Sequence, residues 1–279
     1  MSSLVEIVRE EIMDAVEKDQ LTLPTLPEVA LKVRETAEDP DAVIADLTTI
    51  ISHDAALAAR IIRVTNSPLL RAPQEVKDLN MAISRLGMNY TANLAIGLAM
   101  EQMFQATSEV IDKKMRSTWT TTTRVAALSY VLTTEAKAIP PDEATLAALV
   151  HRLGVLPVLT FAEERDDLIR DGISLEKVIE AISPELGRLI LRKWEFPDAL
   201  ADVPVAFLNF SEAANEIGYK EVVRIASLLY FREDAAHPIG KVDWTQVPAL
   251  ALFNLEPDKN GERVQEVLAQ AAEVKDLFA

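Results

Sequence analysis

The sequence predicts an all-α protein, and three observations lead to that prediction. Glycine is scarce, with 8 in 279 residues, or about 3% against a usual ~7%, which favours helix over a turn-rich β fold. Apolar residues recur at helical spacing in almost every segment. No run of alternating β-branched residues is long enough to predict a sheet.

Composition excludes several classes of function. The chain has 28 Lys and Arg against 44 Asp and Glu, a net charge of −16, which argues against a nucleic-acid partner because phosphate backbones need a dense basic face. There is no cysteine, so disulfide, zinc–cysteine and thiol-nucleophile chemistry is excluded. Three histidines leave little room for an all-histidine metal site. The glycines are too far apart to form a phosphate-binding loop.

The apolar pattern indicates a soluble chain. An apolar content of 49% is sufficient for a core. No apolar run approaches the ~20 residues that span a bilayer, and Met1 to Glu11 lacks the pattern of a secretory signal. We therefore expect a cytoplasmic protein with no membrane partner.

The N-terminal half reads as short helices separated by clear breaks. Leu4 to Val16 carries an apolar face, and Pro27 suits the first position of a second helix. Asp41 and Asp54 are plausible N-caps of the next two helices. A short amphipathic helix from Leu79 to Leu86 would close at Gly87. The apolar residues from Asn89 to Phe104 lie on more than one side, which predicts a buried helix.

The C-terminal half is also predicted to be helical. Residues 110–138 form one long helix or two, and 144–159 form a strongly apolar segment. Ser183, with Pro184 and Glu185 after it, is a favourable helix start. Two more amphipathic helices are predicted at 211–231 and 259–278, joined by a proline-punctuated stretch of loop or short helix.

Several motifs in a fixed order carry a family resemblance. The first group comprises Leu23–Val33, Asp39–Asp41, Ile50–Ser67 and Ala82–Gly87. The second comprises Leu146–Gly154, Leu186–Gly187 and Trp194–Pro197. Over roughly residues 21–210 the chain resembles the HDOD family, the "HD-related output domain" of bacterial signalling, which is related to HD-type metal-dependent phosphohydrolases.

This resemblance implies an N-terminal helical subdomain followed by an HD-like helical bundle with C-terminal accessory helices. Applied to this chain, it predicts an N-terminal helix at 1–20, an N-terminal HDOD subdomain at 21–107 and a degenerate HD-like bundle at 108–210. Residues 211–279 would be C-terminal helices that pack on the bundle. We expect a stand-alone module, because no receiver, GGDEF-like or kinase segment fits in the remaining length.

The resemblance also places the His-Asp pair of HD enzymes on His151 and Arg152. Arginine is a fixed cation and repels a metal, whereas aspartate would bind it. The other family histidine positions fall on Thr120 to Thr123, on Ser183 and on Val205 to Asn209, none of which is histidine. We therefore predict a degenerate metal site, with His151 as a buried, hydrogen-bonded residue and with no catalytic residue, metal or cofactor.

Other candidates receive structural interpretations. The His53–Asp54 dipeptide is interpreted as a surface residue followed by a helix cap, and His237 has no companion ligands. Asn66 and Ser67, followed by proline, are interpreted first as a helix terminator and second, with Arg63, as an interaction corner. The basic residues near this corner are interpreted as partners of local carboxylates: Arg60, Arg63 and Arg71.

The leading hypothesis is a non-catalytic regulatory module of bacterial signal transduction that acts through contacts with signalling proteins. The first alternative is a divergent metal-dependent phosphohydrolase, in which His151 would meet acids such as Asp142, Glu143, Glu163 or Glu164. The second alternative is a nucleotide sensor without hydrolysis, which needs Arg152 or Lys193 to face an anion. A homodimer contact through the last helix is a minority interpretation.

Overall fold

A computed structural model describes residues 4–67, 70, 74–165, 167–168, 172–274 and 278. Within that part of the chain 71% of the residues are helical and none lies in a strand, so the predicted all-α fold is confirmed. The first helices are α1 (Leu4–Glu17), α2 (Glu28–Glu38), α3 (Ile44–Ser52), α4 (Ala55–Thr65), α5 (Leu79–Leu86), α6 (Met88–Ala99) and α7 (Glu109–Ala136). They are followed by α8 (Pro141–Val150), α9 (Val155–Glu163), α10 (Gly172–Lys193), α11 (Asp198–Ala201), α12 (Val203–Ala206), α13 (Tyr219–Phe231) and α14 (Glu262–Val274).

The chain divides into two compact units, each assembled from separate segments. Unit one contains Met1–Thr25, Gln102–Thr122 and Val150–Leu208. Unit two contains Leu26–Glu101, Thr123–Leu149 and Asn209–Ala279. The consecutive ranges that the sequence suggests for the subdomains stay predictions.

Unit one is organised around α10, which packs against α1, α9, α11 and α12. Its packing against α9 is unusually close at Gly154, the residue just before that helix. A Cβ atom built on Gly154 would lie 1.9 Å from the Ser183 carbonyl oxygen and 2.4 Å from the Gly187 amide nitrogen. Both neighbours are backbone atoms that cannot move aside, so only glycine fits. This contact holds the turn that carries His151 and Arg152 against α10.

Unit two contains the N-terminal motif helices. Helix α2 packs on α6 and α3, and α4 packs on α5 and α6. Helix α6 is buried on most of its sides, as its apolar pattern predicts. Short 3-10 helices at Pro238–Lys241, Trp244–Gln246 and Pro248–Phe253 join α13 to α14, in agreement with the predicted stretch of loop or short helix.

The structure confirms some of the predicted helix boundaries and contradicts others. The Asp54 carboxylate accepts a hydrogen bond from the Leu57 amide at 3.0 Å, so Asp54 is the N-cap of α4 as predicted. Gly87 ends α5 with a φ of +86°, a conformation that L side chains rarely adopt. The predicted cap at Asp41 is wrong, because α3 begins at Ile44 and the Asp46 carboxylate accepts from the Val43 amide at 2.9 Å.

The predicted helix start at Ser183 is also wrong. Helix α10 runs without interruption from Gly172 to Lys193 and contains Pro184 in its interior. An interior proline removes one helical hydrogen bond and costs about 3 kcal/mol. The buried face of α10 offsets this cost, with Val178, Ile182, Leu186 and Ile190 at 0% exposure.

One helical stretch of the described residues, Pro141–Glu163, passes a length and composition test for a membrane span. In this fold, however, 83% of its most apolar 18-residue window is buried inside the protein. Such burial is typical of a core helix of a soluble protein.

Candidate functional site

The position that the resemblance assigns to the metal-binding histidine lies in the turn between α8 and α9. His151 is 4% exposed, and the edge of its ring meets the Phe207 ring with centroids 5.1 Å apart and planes at 89°. Edge-to-face packing of this kind stabilises a buried ring. His151 is therefore a buried residue, as predicted, and its ring is part of the apolar packing of unit one.

The next residue, Arg152, lies among charged side chains of both signs. Lys114 of α7 lies close enough to Arg152 that the guanidinium charge lowers the pKa of the lysine, after burial, which is the larger cause. Glu180 acts in the opposite direction, and Lys114 is ion-paired with Glu176. Two cations and two carboxylates therefore meet beside the place where an HD enzyme carries its aspartate.

This set of side chains does not fit a divalent metal. Such ions are bound by carboxylate oxygens and imidazole nitrogens, while arginine and lysine repel them. In the described ranges there is no group of three or more His, Asp or Glu residues that could hold a metal ion. The described residues thus provide no donor set for a divalent metal at this position.

The acids that the hydrolase alternative needs have other partners. The Asp142 carboxylate accepts a hydrogen bond from the Asn93 amide at 2.8 Å, and Glu143 accepts from the Tyr219 hydroxyl at 2.5 Å. Glu163 accepts from the Ser108 amide at 2.9 Å. Each of these three carboxylates thus accepts a hydrogen bond from a neighbouring segment.

The corner at Asn66 is held by two hydrogen bonds to a single residue. The Asn66 side chain donates to the Val76 carbonyl at 2.7 Å and accepts from the Val76 amide at 2.8 Å. These two hydrogen bonds fix the backbone of Val76 against the C-terminal end of α4. This geometry supports the helix-terminator interpretation of Asn66.

The neighbours of Asn66 differ in exposure. Ser67 is 3% exposed, and its hydroxyl accepts from the Leu70 amide at 3.4 Å, whereas Arg63 is exposed on α4. Arg71 lies outside the described residues. Arg60 is paired with the Glu101 carboxylate, as expected of a basic residue in this patch. The use of Asn66, Ser67 and Arg63 as an interaction corner stays a prediction.

Two histidines outside the family position have local structural surroundings. His53 is an exposed residue at the end of α3. His237 stacks on Phe231 with ring centroids 3.7 Å apart, and its Nδ1 accepts from the Ile239 amide at 3.2 Å. The cap that His237 provides for a 3-10 helix was not predicted, because no sequence signal marks a histidine cap.

A buried charge cluster in unit two was also missed. The Arg224 side chain is 0% exposed and is paired with Glu212 and, at 3.8 Å, with Glu221 of its own helix. Lys220 pairs with Glu212 at 2.5 Å. Hydrogen bonds from Lys220 and Arg224 hold the pKa of Glu212 below its usual range.

A sequence signal for this cluster does exist. Glu221 and Arg224 are three residues apart in a helix whose other residues are almost all apolar and buried. A charged pair at this spacing inside an apolar stretch indicates a buried ion pair. We name Arg224, Glu212, Glu221 and Lys220 the Arg224 cluster.

Comparisons with known proteins agree with this architecture. The HDOD domain model matches residues 23–207. A curated protein of Treponema pallidum, named an uncharacterized protein, is 22% identical over 267 residues, which is 91% of this chain and 50% of that protein. The chain thus spans about half the length of the curated relative that it matches.

Solved structures share the fold over nearly the whole chain. A Shewanella amazonensis protein described as a "Putative metal-dependent phosphohydrolase" is 26% identical, with a TM-score of 0.84 and 99% of both chains covered. An HDOD domain protein of unknown function from Geobacter sulfurreducens is 17% identical, with a TM-score of 0.65 and coverage of 97% of this chain and 98% of that chain.

A third structure carries a signalling description. A "Putative signal transduction protein" from Marinobacter aquaeolei is 21% identical, with a TM-score of 0.62. The alignment covers 99% of this chain and 65% of that chain. At this identity the likeness shows the fold alone. Because the HDOD domain model matches well over half of the residues, this chain is a member of the HDOD family.

Proposed function

We propose that this protein is a non-catalytic regulatory module of bacterial signal transduction that acts through contacts with signalling proteins. The observation that carries the proposal is the guanidinium of Arg152, which stands where an HD enzyme carries its aspartate. Arg152 follows the buried His151, and the pKa of Lys114 is lowered by burial and then by the charge of Arg152. A divalent cation at this place would meet the like charge of Arg152 instead of a carboxylate ligand.

The experiment is metal analysis of the purified full chain, combined with hydrolysis assays on cyclic dinucleotides, nucleotides and a generic phosphoester. The assays include Mg²⁺, Mn²⁺, Fe²⁺ and Ni²⁺ in turn. We expect far less than one metal ion per chain and no turnover above the rate without protein. Stoichiometric metal together with turnover that His151→Ala abolishes would refute the proposal.

Arg152→Asp provides the matched variant, because it restores the His-Asp dipeptide. If the site lacks only that aspartate, the variant gains metal and activity. We expect neither gain, because the described residues contain no further group of ligands that could complete the site. Arg34→Asp on α2, a helix of unit two, introduces the same change of charge outside unit one and serves as the control.

The hydrolase alternative draws on the Shewanella amazonensis structure, whose description names that activity. The same experiment decides between the two functions. A nucleotide sensor without hydrolysis is favoured by one observation, the proximity of Arg152 and Lys114. A thermal-shift screen with cyclic nucleotides tests it. We expect no shift, because Lys114 is already ion-paired with Glu176.

A further inference from the structure

The residue Phe278 is almost fully buried, although it lies far beyond the part of the chain that matches the HDOD domain. Its exposed fraction is 2%, and the match ends at residue 207. Residues 275–277 and 279 lie outside the described residues. A single aromatic residue of the C-terminal region therefore occupies a site within unit two.

Both walls of this site are residues of the HDOD match. The Phe278 ring lies against the Tyr130 ring of α7, with centroids 6.4 Å apart and planes at 48°. The Phe278 carbonyl oxygen accepts a hydrogen bond from the Arg60 guanidinium at 3.1 Å. The site thus recognises an aromatic side chain and its backbone carbonyl together. We name Arg60, Glu101 and Tyr130 the Phe278 site.

The cationic wall is oriented by a carboxylate. The Arg60 side chain is 15% exposed, and its other terminal nitrogen is paired with Glu101. Its Nε is buried and makes no hydrogen bond among the described residues. A guanidinium that Glu101 holds in place presents a fixed donor to a backbone carbonyl, so the site is ordered before a segment binds.

The aromatic wall is equally fixed. Tyr130 is buried, and its hydroxyl is hydrogen-bonded to Tyr90. Burial, followed by the interactions with Tyr130 and Asp142, raises the pKa of Tyr90 far above its usual range. Asp142 is in turn bonded to Asn93 at 2.8 Å. The hydrogen bond to Tyr90 and the burial of Tyr130 fix the platform on which the Phe278 ring rests.

The helix before Phe278 is anchored independently of that residue. Helix α14 buries Val264, Val267, Ala271 and Val274. Arg263 is paired with Glu135, and the Gln270 side chain donates to the same carboxylate at 3.1 Å. The contacts that dock α14 are therefore separate from those that Phe278 makes with Tyr130 and Arg60.

We propose that the Phe278 site is a recognition site for a peptide segment of a partner protein that carries an aromatic residue, and that Phe278 covers it in cis. The proposal deepens the proposed function, since it names a surface through which this HDOD module contacts a partner, and it rests on that function. A partner segment would displace Phe278 and place its own ring on Tyr130 and its own carbonyl on Arg60.

The test uses the full chain with Phe278→Ala, which opens the site without removing any segment. The probe is a fluorescent, amidated peptide of residues 270–279, and binding is measured by anisotropy. A tethered Phe278 competes at an effective concentration of about 1 mM. For a peptide that binds with a Kd of about 100 µM, the wild-type chain should therefore bind at least about 10-fold more weakly than Phe278→Ala.

Three controls define the result. A peptide with alanine in place of phenylalanine should not bind, and Arg60→Met in the Phe278→Ala chain should weaken binding several-fold. Val110→Ala, which trims an exposed apolar residue elsewhere, should bind the peptide as weakly as the wild type. Equal binding of the peptide by wild type and Phe278→Ala would overturn the proposal.

If Phe278→Ala fails to fold, Phe278→Leu keeps an apolar side chain but removes the ring and should still raise peptide binding. A well-folded Phe278→Leu chain with wild-type binding overturns the proposal equally. The outcome is separate from the hydrolysis assays. A chain with stoichiometric metal and turnover would refute the non-catalytic function even if the peptide binds, and a chain without either would retain that function even if the peptide does not.

Discussion

Two charged regions of this protein differ in how far carboxylates compensate their cationic side chains. Beside the family metal position, burial and then the charge of Arg152 lower the pKa of Lys114, which is also ion-paired with Glu176. In the Arg224 cluster a fully buried guanidinium is paired with two carboxylates, and the pKa of Glu212 is lowered by its cationic partners. The first region places a second cation near a paired lysine, whereas the second pairs one buried cation with two carboxylates.

The difference follows from burial. Lys114 keeps 29% of its side chain exposed, so water screens the repulsion from Arg152. The Arg224 side chain is 0% exposed and depends on Glu212 and Glu221 for compensation. Glu212 and Glu221 are thus ion-paired with a cation of the chain itself. The charged side chains beside His151 and the Arg224 cluster therefore differ mainly in their exposure to solvent.

Arg224→Ala should have the largest effect on this comparison. It removes one of the two cations that are paired with the buried Glu221 carboxylate and leaves only Lys220, at 3.7 Å. Breaking a buried ion pair costs about 3–5 kcal/mol. The free energy of unfolding, measured by urea denaturation, should fall by this amount. The double variant Glu221→Gln with Arg224→Met removes both charges and should recover much of the loss. A double variant as unstable as Arg224→Ala would show that shape rather than charge dominates.

Gly154→Ala should have the next largest effect and acts on the other region. The added methyl would meet the Ser183 carbonyl and the Gly187 amide, so α9 must move away from α10, at a cost of about 1–3 kcal/mol or more. The fluorescence of Trp194 and the urea midpoint report this change. Gly172→Ala is the matched control, because its Cβ meets nothing within 4 Å and should change stability by less than about 1 kcal/mol.

Acid pH should weaken the Arg224 cluster through Glu212. Its pKa is lowered from 4.5 in the folded chain, so its contribution to stability is present above that value and is lost as pH falls through the folded pKa. The melting temperature of the wild type should therefore exceed that of Glu212→Gln near neutral pH, and this difference should shrink below about pH 4.5. A difference that stays constant with pH would contradict the assignment.

The pKa of Lys220 changes in the complementary direction. It is raised, chiefly by the hydrogen bond to Glu212, so the pair also loses stability at alkaline pH, above the usual lysine value of 10.5.

Local rules predicted much of the fold from the sequence. The cap at Asp54 and the left-handed end at Gly87 depend on residues within a few positions, so the pattern is sufficient. The start at Ser183 failed because tertiary burial keeps α10 continuous through Pro184. The burial of His151 was anticipated from its apolar neighbours, but its contact with Phe207 joins residues 56 positions apart.

Long-range charge pairing could not be predicted from the sequence for the same reason. Glu212 lies twelve positions from Arg224, and Phe278 lies 218 positions from Arg60. A sequence pattern reports periodicity along one element, while these contacts depend on how elements pack. The cationic character of Arg152 could be read from the sequence, whereas its proximity to Lys114 could not.

Lys114→Met should produce the smallest effect and is the sharpest test of the contrast. The ion pair with Glu176 stabilises the charged Lys114 ammonium, whereas burial and the charge of Arg152 destabilise it. Because these effects oppose each other, removal of the ammonium should change the free energy of unfolding by less than about 1 kcal/mol. The sign is informative, because a lysine with a lowered pKa destabilises the folded chain in its charged form. Stability of the wild type should therefore rise as the pH increases through the lowered pKa, and Lys114→Met should lack this increase. A loss as large as that of Arg224→Ala would mean that the cations beside His151 form an essential ion-pair network, and the contrast between the two regions would fail.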